Sequence, residues 1–401
     1  MKKLFALALA VALVLTLSCA AFAEGYSGDL KVWVPDAAVD FTAEQVEAFK
    51  AANPEYADMN VTIEPVGEGD AAGKVITDVD AAADVFNFAQ DQLARIVAAG
   101  ALEEVEPGNA EIVKAENDAG SVGAATMGDT LYAYPLTSDN GYFMYYDKSV
   151  VTDPSDLDKV LADCEAAGKS FYMEINSGWY QTAFFFGTGC TLTYDSDDEG
   201  NLIACNSDYA SENGLKALKS MIKLSKSPAF QNGSSISNAT NVGAIVDGTW
   251  DSEAAKELFG DNYAAAKLPT VDGYQLSGFG GFKLLGVKPQ TDEDKLAACD
   301  ALAAWLTSGD VQLARYEALG WGPSNLEAQQ SDAVKADVAL SALAEQLAFT
   351  IPQGQYPGDY WSLATGLGDR IIGKEFDDAD DDTLMAALTE FQETCESYAA
   401  K

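Results

Sequence analysis

Histidine is absent from all 401 residues. That absence removes Ser-His-Asp and Cys-His nucleophilic centres, HExxH zinc sites and the side chain most often used as a general base near neutral pH. Basic residues are scarce as well: 24 Lys and Arg stand against 63 Asp and Glu, for a formal net charge of −39. A chain so acidic is repelled by nucleic acid and by anionic membrane surfaces, so neither is expected as a partner. No G-x-S-x-G occurs, and Gly168-Lys169-Ser170 lacks the upstream glycine of a phosphate-binding loop, so it reads as a helix end before a strand. Paired carboxylates of the glycoside-hydrolase kind are not removed by composition, because so acidic a chain always offers pairs. The remaining chemistry favours a protein that does not catalyse, with no cofactor and no metal.

Long apolar runs are missing too, apart from one at the N-terminus. Met1, Lys2 and Lys3 precede an apolar core from Leu4 to Leu17, and Ala21-Phe22-Ala23 supplies small residues for cleavage, so residues 1–23 read as a secretory signal peptide. Cys19 follows Thr16-Leu17-Ser18, a loose lipobox without Leu three residues before the cysteine. Release after Ala23 and lipid attachment at Cys19 both stay open, and both place the mature chain outside the cytoplasm as a secreted, cell-surface or periplasmic protein.

Cysteine is sparse, with five left beyond the signal region. Cys190 and Cys205 flank TLTYDSDDEGNLIA, a predicted hairpin, which allows a cross-strand disulfide; the alternative is that all five are small core residues. Asp195-Ser196-Asp197-Asp198-Glu199-Gly200 has the spacing that opens a calcium loop, but Asn206 stands where the closing Glu belongs, so a solvated turn is the simpler reading. The acidic run 376–383 precedes an apolar-periodic helix and suits its N-terminus.

What is present alternates. Strand LKVWV, a helix from Thr42 to Ala52 with a Thr42/Gln45 capping box, strand NVTIEPV, a helix over 71–82, strand ADVFNFA and the helix DQLARIVAA closed by Gly100 follow in order. That is a βαβ series, hence an α/β fold with a largely parallel sheet. After residue 141 helices (155–167, 211–225, 251–258) and strands (SFYMEI, GAIVDGTW, AAAKLPTV) build a second α/β unit. YAYPL and YFMYY are strand-like but are joined by Thr137-Ser138-Asp139-Asn140-Gly141, which suits a crossing between sheets; FGGFKLLGV (279–287) and GWGPSN (320–325) look like two more. The expected organisation is a two-lobed chain: 24–137 with 285–323, 141–279 with 327–401, and hinges near 137–140, 280–284 and 323–326.

Three tryptophans fall where a ligand would lie, outside strand ends. Trp179 follows Asn176-Ser177-Gly178, Trp250 closes GAIVDGTW, and Trp361 sits in PQGQYPGDYW before a helix. Flat rings suit the C–H faces of a sugar, with Asp, Asn or Gln at its edges. Trp33 and Trp305 are assigned to the core.

Assembled, these strings resemble the extracellular sugar-binding proteins that serve ABC importers, most closely those for maltose and maltodextrin. The resemblance spans 28–401 and rests on LKVWV with its helix ending in Asn53-Pro54, ADVFNFAQDQLARIVAAGALEEVEP, LYAYPLTSDNGYFMYYDK, GAIVDGTW and PQGQYPGDYW, in that order and spacing. It implies a periplasmic-binding-protein fold, an oligosaccharide of the maltodextrin type as ligand, and a membrane permease as partner of a monomer. Another carbohydrate or a polyol would be the nearest alternative ligand. It carries the aromatic platform onto Trp179, Trp250 and Trp361, first-lobe contacts onto Asp36, Phe88 and Asp91, and a hinge acid onto Asp139 with Asn140 beside it; Gln90 and Asn176, next to these, complete the candidate set. Phe88 stands where the family has Trp, Gln92 where Arg follows the Asp, Ser177 where Glu precedes the aromatic, and Ser362 and Thr365 where Tyr and Arg follow the last Trp. The aromatic set is kept better than the polar set.

Overall fold

The computed structural model describes residues 25–197 and 201–399; the signal region with Cys19, and Asp198, Glu199 and Gly200 of the acidic loop, lie outside the described residues. Two five-stranded sheets organise the chain. The first runs Asn60–Pro65, Asp29–Val34, Val85–Ala89, Lys283–Val287, Ala133–Thr137. Four of these strands run the same way; Lys283–Val287 alone is antiparallel, lying between Val85–Ala89 and Ala133–Thr137 and pairing with both. The second runs Phe230–Gln231, Ser170–Tyr172, Val242–Asp247, Phe143–Asp147, Tyr263–Ala266.

The central strands of each sheet are buried on both faces, which is why VFNFA and VGAIVD read as largely apolar runs without alternation. One core contains Leu30, Val32, Phe86 and Leu284, the other Phe171, Phe184, Met221 and Leu388. A helix over Glu293–Leu306 covers the first sheet, although it is encoded after the second, so the first lobe is discontinuous in sequence. The helix Val338–Leu347 returns to the second sheet, its Ala339, Ala342 and Leu343 packing with Phe143 and Tyr145.

Several boundaries differ from expectation. The helix expected from Thr42 begins at Val39, after a 3-10 turn over Asp36–Ala38, and Thr42 is buried within it, so the capping box does not form. The helix expected at 71–82 is Glu68–Thr77, which makes Glu68 its first residue. Strand GAIVDGTW stops at Asp247, leaving Trp250 in a 3-10 turn beyond it. The hairpin forms from Leu192–Ser196 and Leu202–Ser207, but its register sets Cys205 opposite Tyr194, and Cys190 precedes the first strand. Both cysteines are free thiols, so the cross-strand disulfide is corrected by register. Among the described residues no helix is long and apolar enough to cross a membrane.

Candidate functional site

Between the sheets lies a cleft of about 1400 Å³. The first sheet and its helices supply Trp33, Glu68, Asp91, Arg95 and Lys283; the second supplies Trp179, Tyr180, Trp250, Asp251 and Trp361; the connecting segments supply Asn140, Trp321 and Gln353. Five of the chain's six tryptophans therefore face one cavity. Trp33 and Trp321 are nearly buried, while Trp179, Trp250 and Trp361 stay partly exposed, so three indoles present apolar faces to the cavity.

The three crossings are tied together at the cleft's back. Asn140 N donates to Gly281 O at 3.1 Å and Ser138 N to Gly322 O at 3.0 Å. Asp139, almost fully buried, accepts from Gly322 N at 2.6 Å and from Thr249 Oγ1 at 2.5 Å. Gly322 permits this approach, since a Cβ there would stand 2.9 Å from the Asp139 Cβ.

The aromatic wall is built by close backbone contact. A Cβ at Gly248 would meet the Trp250 ring at 2.1 Å, so glycine before Thr249 lets the indole lie flat on the chain. Tyr145 Oη, donating to Gly248 O at 2.9 Å, holds that turn from below. Trp179 lies 5.7 Å from Trp250 at 47°, and its Nε1 donates to Gln353 Oε1 at 3.2 Å. Trp361 opens the helix Gly358–Ile372 and rests against Tyr360 and Tyr356 at 4.9 and 5.7 Å.

On the opposite wall Asp91 sits in the turn after Val85–Ala89, only 2% exposed. Burial pushes its carboxyl up to about 7, against the opposing pull of Arg95 and of the Gln92 amide, which donates to Oδ2 at 3.2 Å. The PQGQYPG segment clamps this turn: Gln355 Oε1 accepts from Ala94 N at 2.8 Å and its Nε2 donates to Gln90 O at 2.9 Å. Beneath Trp250, burial and then the neighbouring Asp251 carboxylate drive the Asp247 carboxyl well above the usual range.

Of the candidate residues, Asp91, Asn140, Trp179, Trp250 and Trp361 line the cleft. Asp36 is exposed between Pro35 and Ala37, which line it. Gln90 is buried, its Nε2 donating to Gln353 O, and Asp139 is buried at the cleft's back, where it ties two crossings together. Asn176 lies aside, its amide fixed by Asp369 at 2.9 Å and Asn232 at 2.7 Å. Phe88 is corrected: its ring is wholly buried in the first core beside Phe86, because that strand is covered on both faces. Trp33 belongs to the first core, as expected, and in addition borders the cleft, with Nε1 donating to Glu64 Oε2 at 2.8 Å.

Sequence reasoning missed Trp321, Arg95, Glu68 and Lys283. Although Lys and Arg are scarce in the chain as a whole, Lys74, Arg95 and Lys283 line the cleft. Lys283 carried a readable signal, a charge inside the apolar strand FGGFKLLGV.

Two α/β lobes, hydrogen-bonded crossings and a tryptophan-lined cleft between them define a two-lobed binding protein. Residues 44–342 match the model of the bacterial extracellular solute-binding protein family, and the chain belongs to that family. A structure solved with acarbose is 27% identical, covering 92% of this chain and 98% of its own, with a TM-score of 0.80. The maltodextrin-binding protein MalE1 of L. casei BL23 is 24% identical over 94% and 100%, with a TM-score of 0.76. The maltotriose-binding protein of Thermus thermophilus, bound with maltotriose, is 19% identical over 91% and 99%, at 0.73. A search of curated protein sequences finds no match to the chain.

Proposed function

We propose that this protein captures an oligosaccharide of the maltodextrin type in the cleft and hands it, unaltered, to an ABC permease in the membrane. The observation that carries the reading is the gathering of Trp33, Trp179, Trp250, Trp321 and Trp361 around one cavity of about 1400 Å³, large enough for several pyranose rings. Similar structures solved with acarbose and maltotriose support the α-glucan class. Lobes 24–137 with 285–323 and 141–279 with 327–401 close about the hinges, because contacts from both walls exist together only in the closed state. A lipid anchor at Cys19 would keep the receptor beside its permease, whereas release after Ala23 would need an enclosing periplasm to do so.

Isothermal titration of residues 24–401 with maltotriose and maltohexaose tests this reading. Micromolar or tighter binding supports it. Binding confined to xylo- or galacto-oligosaccharides or to a polyol would keep the role and change the sugar, and release of reducing sugar would replace capture with hydrolysis.

A further inference from the structure

We infer that Lys283 and Glu68 form a donor–acceptor dyad that reads a pair of adjacent sugar hydroxyls from the first-lobe wall, resting on the oligosaccharide reading above. Lys283 is 2% exposed, yet it lines the cleft. Its Nζ lies 3.1 Å from Glu68 Oε1, 4.4 Å from the Trp321 ring centre and 5.1 Å from that of Trp250.

An ammonium has three N–H donors and no acceptor. Glu68 is its ion-pair partner, and among the described residues no other carboxylate or carbonyl reaches it; the remaining sides meet indole faces. Cation–π attraction is non-directional compared with a hydrogen bond, so it holds the ammonium in place while leaving N–H groups unmatched. A buried donor without an acceptor is costly, and the cleft is the direction from which one can arrive. Glu68 mirrors this. Its Oε1 faces Lys283, while Oε2 has no protein partner among the described residues, and the side chain is 23% exposed to the cleft. Adjacent hydroxyls on a pyranose offer one oxygen to accept from Lys283 and one O–H to donate to Oε2. That match is between charged groups and neutral hydroxyls, where hydrogen bonds are strong.

The placement explains how the two walls share a ligand. Lys283 belongs to the first sheet and Glu68 opens the helix Glu68–Thr77 packed beside it, so the dyad moves with the first lobe. Trp250 moves with the second. Trp321, 3% exposed, is committed to holding the ammonium, which leaves Trp179, Trp250 and Trp361 as platforms. A ring lying on those platforms presents its hydroxyl edge to the dyad as the lobes meet.

The test is titration of wild type, K283M, E68Q and the double variant with maltotriose, accompanied by thermal unfolding of each. The expected result is a loss of about 10-fold or more in affinity for each single variant, with the double variant losing much less than the product, as adjoining hydrogen bonds do. K283R, which keeps charge and donors, should recover part of the affinity lost by K283M, a recovery that a merely structural role would not produce. Equal affinities in all variants that fold overturn the dyad while the glucan reading stands. Strict additivity of the two losses also overturns it, since the groups would then act independently. If wild type ignores maltotriose but binds another neutral oligosaccharide, the glucan reading falls and the same variants decide the dyad with that sugar. Silence of wild type toward every neutral oligosaccharide overturns both.

Discussion

Trp250 and Trp361 are each half-buried, with one side on protein and the other on the cleft. Truncating either to alanine removes a stacking surface worth on the order of 1 kcal/mol or more, so W250A and W361A should each bind the oligosaccharide about 10-fold more weakly by titration. Unchanged affinity in both would remove stacking from the account. Asp91 makes a prediction of a different kind. Its carboxyl titrates at about 7 in the folded chain, above the ordinary aspartate value that the unfolded chain would show. Between those two values the folded state holds the extra proton, so this carboxyl's contribution to stability is greatest in acid and declines as pH rises through about 7, by at most about 1.4 kcal/mol per pH unit. Asp247 contributes with the same sign, and no histidine adds a slope of its own. The informative quantity is the difference between wild type and D91N in denaturant unfolding across pH 4–8: the variant should lose part of the acid-side gain, and parallel curves would show that Asp91 stays charged.

At the scale of elements, strand order and helix order were readable because alternation of apolar runs with amphipathic helices has few solutions under the right-handed crossover rule. Positions within the runs were less readable. Thr42 followed by Gln45 has the pattern of a capping box, but Asp36–Ala38 already turns the chain, so the helix starts earlier and Thr42 is drawn inward. Phe88 and Trp33 show why a cleft is hard to tell from a core: both walls are apolar, both lie on strands buried on two faces, and only tertiary placement decides which aromatic meets the cavity. The YAYPL–YFMYY break was legible because two strand-like runs met without a hairpin turn, and Asp139 within it links the first crossing to the third. D139A would leave the buried Gly322 N–H without an acceptor. A drop of about 1–3 kcal/mol in unfolding free energy is expected from denaturant titration, together with altered affinity, because the lost bond joins two of the crossings behind the cleft. A variant as stable as wild type would mean that water or Thr249 takes over the role.

For the whole molecule, capture between lobes implies a change of shape. Small-angle scattering of the ligand-free protein should give a broader particle than the same protein saturated with maltotriose, the radius of gyration falling on binding. Identical profiles, with binding proven by titration, would mean that the ligand enters a cleft already set.

The clustering of indoles has an optical consequence. Trp305, packed against the first core and edge-on to Phe49 at 6.0 Å, stands alone outside the cleft. The ultraviolet emission of the unmodified chain is therefore almost entirely a signal from the binding surface. A titration followed by wavelength and intensity would report occupancy without any attached dye, and in W305F, with tryptophan excited selectively over tyrosine, the emission would come only from residues that line the cleft.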